Sequence, residues 1–280
     1  MTFIITLISL VIERFFYWGH LRYWRWFTKY QRWLSTSRIG NWPPVLQLIV
    51  CILPLLLVVG LLNCLLAGWL YGILKLIFGV VIVVYCFGPH NIWVQVYACI
   101  NELHKGDMPL AMEHADTAFK VGTFDQMQKF HQTFVRAIFV AMHERVFAVV
   151  FWFVLLGPVG AVLYRAITLM SHESPLNTTQ LAAKIRLWLD WISVRVFTFI
   201  FALGGHFTEV FKRWKQTVFK GPETNEAMLT ECGVAALDVM DGELIPEEGV
   251  AEKEAIKLLD RVLIMGLVIL AILVLLEPVY

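Results

Sequence analysis

VLQLIVCILPLLLVVGLLNCLL, residues 45–66, contains no charged side chain. A helix needs about 20 mainly apolar residues to cross a bilayer, so this stretch reads as a membrane span. Working outward, Gly68–Phe87 carries only Lys75, and Val146–Tyr164 carries no charge. Residues 187–207 are apolar but hold Asp190, Arg195 and His206, and 262–276 is a last apolar run. The expected fold is therefore all-α. It is a polytopic helical membrane protein with about five transmembrane helices, an N-terminal interfacial helix and cytoplasmic helical loops. One membrane domain over 1–280 is expected, with helical insertions near 88–145 and 208–261.

Composition agrees. The 280 residues are 59% hydrophobic and 16% charged, against about 25% charged in soluble domains, and the mean hydropathy is +0.68. A net charge of +1 argues against a general nucleic-acid binder. The five cysteines form no CxxC and read as small apolar fillers. Thr2–Ile12 is apolar but ends at Glu13-Arg14, too short to span, and no small-residue cleavage site follows.

Charge placement orients the chain. Segment 13–42 mixes six cations with a run of aromatic rings, the pattern of a helix lying at the inner leaflet. Five more cations fall in 88–145 and seven in 208–261, eighteen in all on one side. Only Arg165, Lys184 and Arg186 fall in the 165–186 loop. The positive-inside rule puts the eighteen in the cytoplasm, with the N-terminus cytoplasmic and the C-terminus periplasmic.

Local signals divide the polar segments. Gly106-Asp107-Met108-Pro109 ends one helix and starts the next. Helices are expected near 92–104, 108–121 and 124–144, with Thr123 a cap. Another is expected near 224–239, then a turn at Asp241-Gly242, and the last helix starts near Glu247. That last apolar run is short for a span, and tilt or Pro278-Val-Tyr280 extends it.

Ionised groups inside a membrane normally face the bundle interior and find partners. Asp190 and Arg195 are the sharpest such features. Their five-residue spacing is poor for a helical pair, so each is expected to find a partner elsewhere. Glu144 and Arg145 stand at the start of the third span, at the mouth of a cytoplasmic pocket or as an interfacial charge pair. Within that span, Gly157-Pro158-Val159-Gly160 is a helix-breaking or close-packing signal. Tyr164-Arg165 closes the span, Arg165 reaching inward or snorkelling. Glu144, Arg145, Tyr164, Arg165, Asp190 and Arg195 are thus candidate lining of a polar cavity, with Gly157, Pro158 and Gly160 as its structural motif. His143-Glu-Arg-Val-Phe147 is not HExxH, and the eight histidines show no metal-ligand spacing, so no metal is expected. No GxxxxGK[ST], GxGxxG or GxSxG occurs.

Several of these stretches together resemble the AmpE family of inner-membrane proteins: Glu13-Arg-Phe-Phe16, Arg145-Val-Phe-Ala148, Phe151-Trp-Phe153, Leu156-Gly-Pro-Val-Gly160 with Tyr164-Arg165, and Leu189-Asp-Trp-Ile-Ser-Val-Arg195 with Gly205-His206. Ser193 stands where that family usually has proline. AmpE is in turn similar to CobD/CbiB, the membrane-bound cobalamin-pathway enzyme, and Asn225-Glu-Ala-Met228 with Gly233-Val-Ala-Ala-Leu237 matches a stretch of the latter. The glycine-rich continuation of that motif is replaced by Asp238-Val-Met-Asp-Gly242, and Thr168-Leu-Met-Ser-His172 replaces polar residues after the third-span motif.

The AmpE resemblance implies a signalling role in β-lactamase induction tied to peptidoglycan recycling. It implies a bacterial inner-membrane location and a small ligand or a cell-wall signalling partner. A nucleotide cofactor has been suggested for the family, though the chain has no Walker motif to hold one. The CobD resemblance implies the alternative, a membrane-embedded enzyme forming an amide on a small carboxylate or cell-wall metabolite. A transport path ranks behind both, because the chain shows no inverted repeat.

Overall fold

The computed structural model describes residues 1–16, 22–66, 72–89, 91–122, 124, 126–237 and 249–276. Thr123, the Asp241-Gly242 turn, the loop before the second span and Pro278–Tyr280 lie outside the described residues. Every regular element among the described residues is helical, and the chain is an all-α polytopic membrane protein. It divides into two compact units, Met1–Pro89 with Arg145–Asp190, and His90–Glu144 with Trp191–Tyr280.

The first unit opens with α1 (Thr2–Phe15), which ends where Phe16 turns to extended backbone. The basic, aromatic segment then forms α2 (Arg25–Thr36). Among the described residues, 13–42 thus holds the end of α1, then α2 and a short 3-10 turn at Arg38–Asn41, rather than the single interfacial helix expected, because Phe16 leaves the helical region. Trp24, Phe27 and Leu34 are buried, and Trp24 stacks on Tyr85 while its indole donates to the Tyr85 carbonyl at 3.2 Å. Pro43-Pro44 starts α3 (Pro44–Leu65) because proline fits a first helical turn, where its missing N–H costs nothing. Buried Gln47 donates to the Gly40 and Trp42 carbonyls at 2.9 Å each, tying the preceding turn to the helix.

Leu53, Leu57 and Leu61 stay exposed along one side of α3, a lipid-facing stripe, while Gly60 meets Val159 of α8 (Ala148–His172). The second expected span appears as α4 (Ile73–Cys86), 14 residues. At 1.5 Å per residue its described part is about 21 Å long, less than a hydrocarbon core. Helix α1 packs on α4, with Ile5 against Gly79.

In the second unit, α5 (Ile92–His104) and α6 (Met108–Phe119) form a hairpin. Gly106 takes φ 77° at the turn, and the Asp107 carboxylate accepts from the Leu110 N–H at 3.2 Å. Ala111, Ala115 and Ala118 form the buried stripe of α6. Helix α7 (Met127–Met142) buries Phe130, Phe134, Ile138 and Phe139, a four-residue periodicity that makes one apolar face. It packs on α11 (Asn225–Ala236), where the Phe139 ring occupies the space a Cβ at Gly233 would need.

Helix α7 runs through a π-helical turn, His143–Phe147, into α8. Helix α9 (Thr179–Gly204), α10 (Phe207–Thr217) and α12 (Val250–Leu276) complete the chain. Helix α12 is 27 residues long because it adds residues 250–261 before the last apolar run, and these carry six charged side chains, so the apolar part stays at 262–276. Among the described residues, four helical stretches are long and apolar enough to cross a membrane: Pro44–Leu65, Met127–His172, Thr179–Gly204 and Val250–Leu276.

Candidate functional site

In the first unit, Asp190 of α9 is 7% exposed and both its oxygens are engaged. The Tyr164 hydroxyl donates to Oδ1 at 2.8 Å and Arg186 Nε donates to Oδ2 at 3.2 Å. Arg186 then reaches Ser171 at 3.4 Å and His172 at 3.1 Å. A carboxylate in this apolar setting is tolerable because a cation and a hydroxyl replace its lost water. Arg165, next to Tyr164, is also buried. Arg145 packs over Gly88, where a Cβ would approach its Cδ to 2.9 Å.

The glycine–proline motif explains how α8 delivers Tyr164 and Arg165. Gly157 has φ 68° and ψ −156° inside the helix, a region open only to glycine. Pro158 both lacks an N–H and disfavours helical backbone in the residue before it. The helix therefore breaks into two segments, and the second begins at Pro158. A Cβ at Gly160 would sit 2.2 Å from the Trp152 carbonyl oxygen, so glycine there lets the second segment close onto the first.

The second unit holds Glu144 and Arg195. Glu144 is half-buried in the π-helical turn. Arg195 is 7% exposed and donates to four oxygens. These are the Trp191 carbonyl at 3.0 Å, the Val218 carbonyl at 3.1 Å, the Lys220 carbonyl at 2.8 Å and Asn225 Oδ1 at 2.6 Å. Its guanidinium lies over the Trp191 ring, 4.5 Å from the centroid. Trp191 also donates to the Lys220 carbonyl, and Trp214 to the carbonyl of Arg195. Arg195 thus fastens the segment between α10 and α11 onto α9. The structure brings Tyr164 and Asp190 together, whereas Arg195 is held by a separate set of groups.

Sequence reasoning found both charges and their need for partners, and it assigned Arg186 to a loop. The four-residue spacing of Arg186 and Asp190 was the usable signal. Two further buried pairs carried none. His143 Nε2 lies 2.8 Å from Ser193 Oγ, and His131 Nδ1 lies 2.6 Å from Glu252 Oε1 across 121 residues of sequence. Among the described residues, no three His, Cys, Asp or Glu side chains converge as metal ligands.

Residues 1–278 match the family described as "Regulatory signalling modulator protein AmpE". A cobalamin biosynthesis protein CobD from Chromobacterium violaceum is 24% identical over 188 residues, 63% of this chain and 60% of that protein. No solved structure matches. With helices, kink motif and buried charges all inside a family match that runs from residue 1 to 278, the chain belongs to the AmpE family of regulatory signalling modulators.

Proposed function

We propose that this protein acts in the bacterial inner membrane as a regulatory component that modulates β-lactamase induction in step with peptidoglycan recycling. In this reading a polar recess in the first unit, formed around Tyr164, Arg186 and Asp190, takes a small ligand. The N-terminus is cytoplasmic and the C-terminus periplasmic, following the cation distribution. The observation that carries the reading is the Tyr164–Asp190–Arg186 network, with Tyr164 and Asp190 buried and Tyr164 on the segment of α8 that follows its break. Broken helices at membrane depth line protein-enclosed sites rather than lipid. Side-chain partners can also exchange with a ligand's polar groups. Buried Arg165, next to Tyr164, is the further member of this recess; Arg195 is committed to backbone carbonyls and serves as a fastener.

The test is a chromosomal Asp190→Asn allele under β-lactam challenge. Induction and muropeptide pools are expected to change as they do in a deletion strain, with membrane levels of the protein normal. Wild-type induction and pools in both strains would overturn the reading. The second reading, a membrane-embedded enzyme forming an amide on a small carboxylate, rests on the partial likeness to CobD. Accumulation of an amine and a carboxylate precursor in the deletion strain would favour it.

A further inference from the structure

We propose that α10 and the segment after it form a docking surface for anionic phospholipid headgroups, independent of the Asp190 recess. Residues 207–220 hold Lys212, Arg213, Lys215 and Lys220 against a single carboxylate, Glu209, a local net charge of +3. Phe207, Phe211 and Trp214 stack in a row on one side, with centroids 5.3 and 5.9 Å apart. Trp214 contacts Phe199 of the spanning helix and donates to the carbonyl of Arg195. The Trp214 end of the row therefore faces the protein, while Phe207 at the other end is 50% exposed. Lys212, Lys215 and Lys220 are exposed, and Phe219 beside them is 92% exposed.

An almost bare phenylalanine next to lysines has a physical reason at a bilayer surface. There the ring enters the acyl boundary while the ammonium groups stay with phosphates. Helix α10 begins three residues after Gly204, where the spanning helix α9 ends, so the same bilayer is within reach. Two bonds from Arg195, to the Val218 and Lys220 carbonyls, and one from the Trp191 indole hold residues 218–220 in place, which presents Phe219 and Lys220 without an ordering cost on contact. Lipid headgroups thus meet a preformed basic, aromatic surface.

The test uses the full chain in nanodiscs of phosphatidylcholine alone or mixed with phosphatidylglycerol. Native mass spectrometry of the released protein is expected to show retained phosphatidylglycerol. Each lysine contributes on the order of fivefold to that affinity, so Lys212→Gln/Lys215→Gln/Lys220→Gln lowers it about a hundredfold. The matching triple Lys→Arg variant is expected to keep it. A nitroxide on Phe219→Cys, with exposed Cys64 replaced by Ser, is expected to collide with oxygen more than with a water-soluble nickel chelate. Equal phosphatidylglycerol retention by wild type and the Gln variant would overturn the proposal. So would a water-exposed nitroxide, or displacement of the lipid by millimolar inorganic phosphate, which would mark a free-anion site.

Discussion

Asp190 and Arg195 lie five residues apart on one helix, both nearly buried, yet they are held in different ways. Asp190 is satisfied by two side chains, Tyr164 and Arg186. Arg195 is satisfied mostly by backbone carbonyls, with one side-chain amide and one aromatic face. Side chains can rotate away and let a ligand replace them. Carbonyls set in a folded backbone can leave only if the fold changes. The difference teaches that a buried charge in a span marks a candidate site only when its partners are replaceable. By that measure Asp190 is the functional candidate and Arg195 is architecture.

The largest expected effect breaks the Arg195 side of this comparison. Arg195→Met strands several buried acceptors and should cost on the order of 4 kcal/mol, read as a lowered Tm in detergent. Arg195→Lys should recover little of it, since one ammonium cannot reproduce the planar fork. A variant that melts like wild type would dissolve the distinction. Next in size, Gly157→Ala forces alanine into the glycine-only region and should cost about 2 kcal/mol. Gly160→Ala should also lower the Tm, through its collision with the Trp152 carbonyl.

Smaller effects sharpen the Asp190 side. Tyr164→Phe removes one hydrogen bond and should cost about 1 kcal/mol in the same melt. Its effect on β-lactamase induction should be large relative to that stability loss. If induction tracked stability alone across Tyr164→Phe and Asp190→Asn, the network would be architecture too.

At neutral pH the smallest effect is that of the thiols of the second unit, which shows only in alkaline solution. Burial pushes Cys99 and Cys232 up to about 12, and the Cys99 thiol donates to the Ala111 carbonyl at 3.4 Å. The folded state holds these protons more tightly than the unfolded chain does. Their contribution to stability is therefore fully present below about pH 9 and is lost as pH rises from 9 toward 12. Cys99→Ala should flatten that alkaline decline in a pH series of melts. At pH 8 maleimide should label Cys64 and leave the folded protein's Cys99 and Cys232 unmodified.

Much of the fold was legible because bilayers impose simple rules. Apolar length marked α3, and Gly106-Asp107 with Pro109 marked the α5–α6 turn to the residue. Gly157-Pro158 marked the break in α8, since each residue type there has one dominant conformational reason. The pairings behind the candidate site were harder to read. Arg186 looked like a loop cation until α9 was seen to begin at Thr179, which puts it one turn before Asp190. The His143–Ser193 bond was equally hidden, because it joins two helices fifty residues apart in sequence.

By itself the sequence determined the helical class, the membrane setting and the places where helices break. Those follow from local chemistry: transfer of apolar side chains out of water, and the backbone limits of glycine and proline. Only the tertiary structure decided which of two neighbouring charges is braced by backbone and which by side chains. That choice depends on groups 23 to 30 residues away from Arg195 and 26 from Asp190, brought close by helix packing that no local pattern encodes.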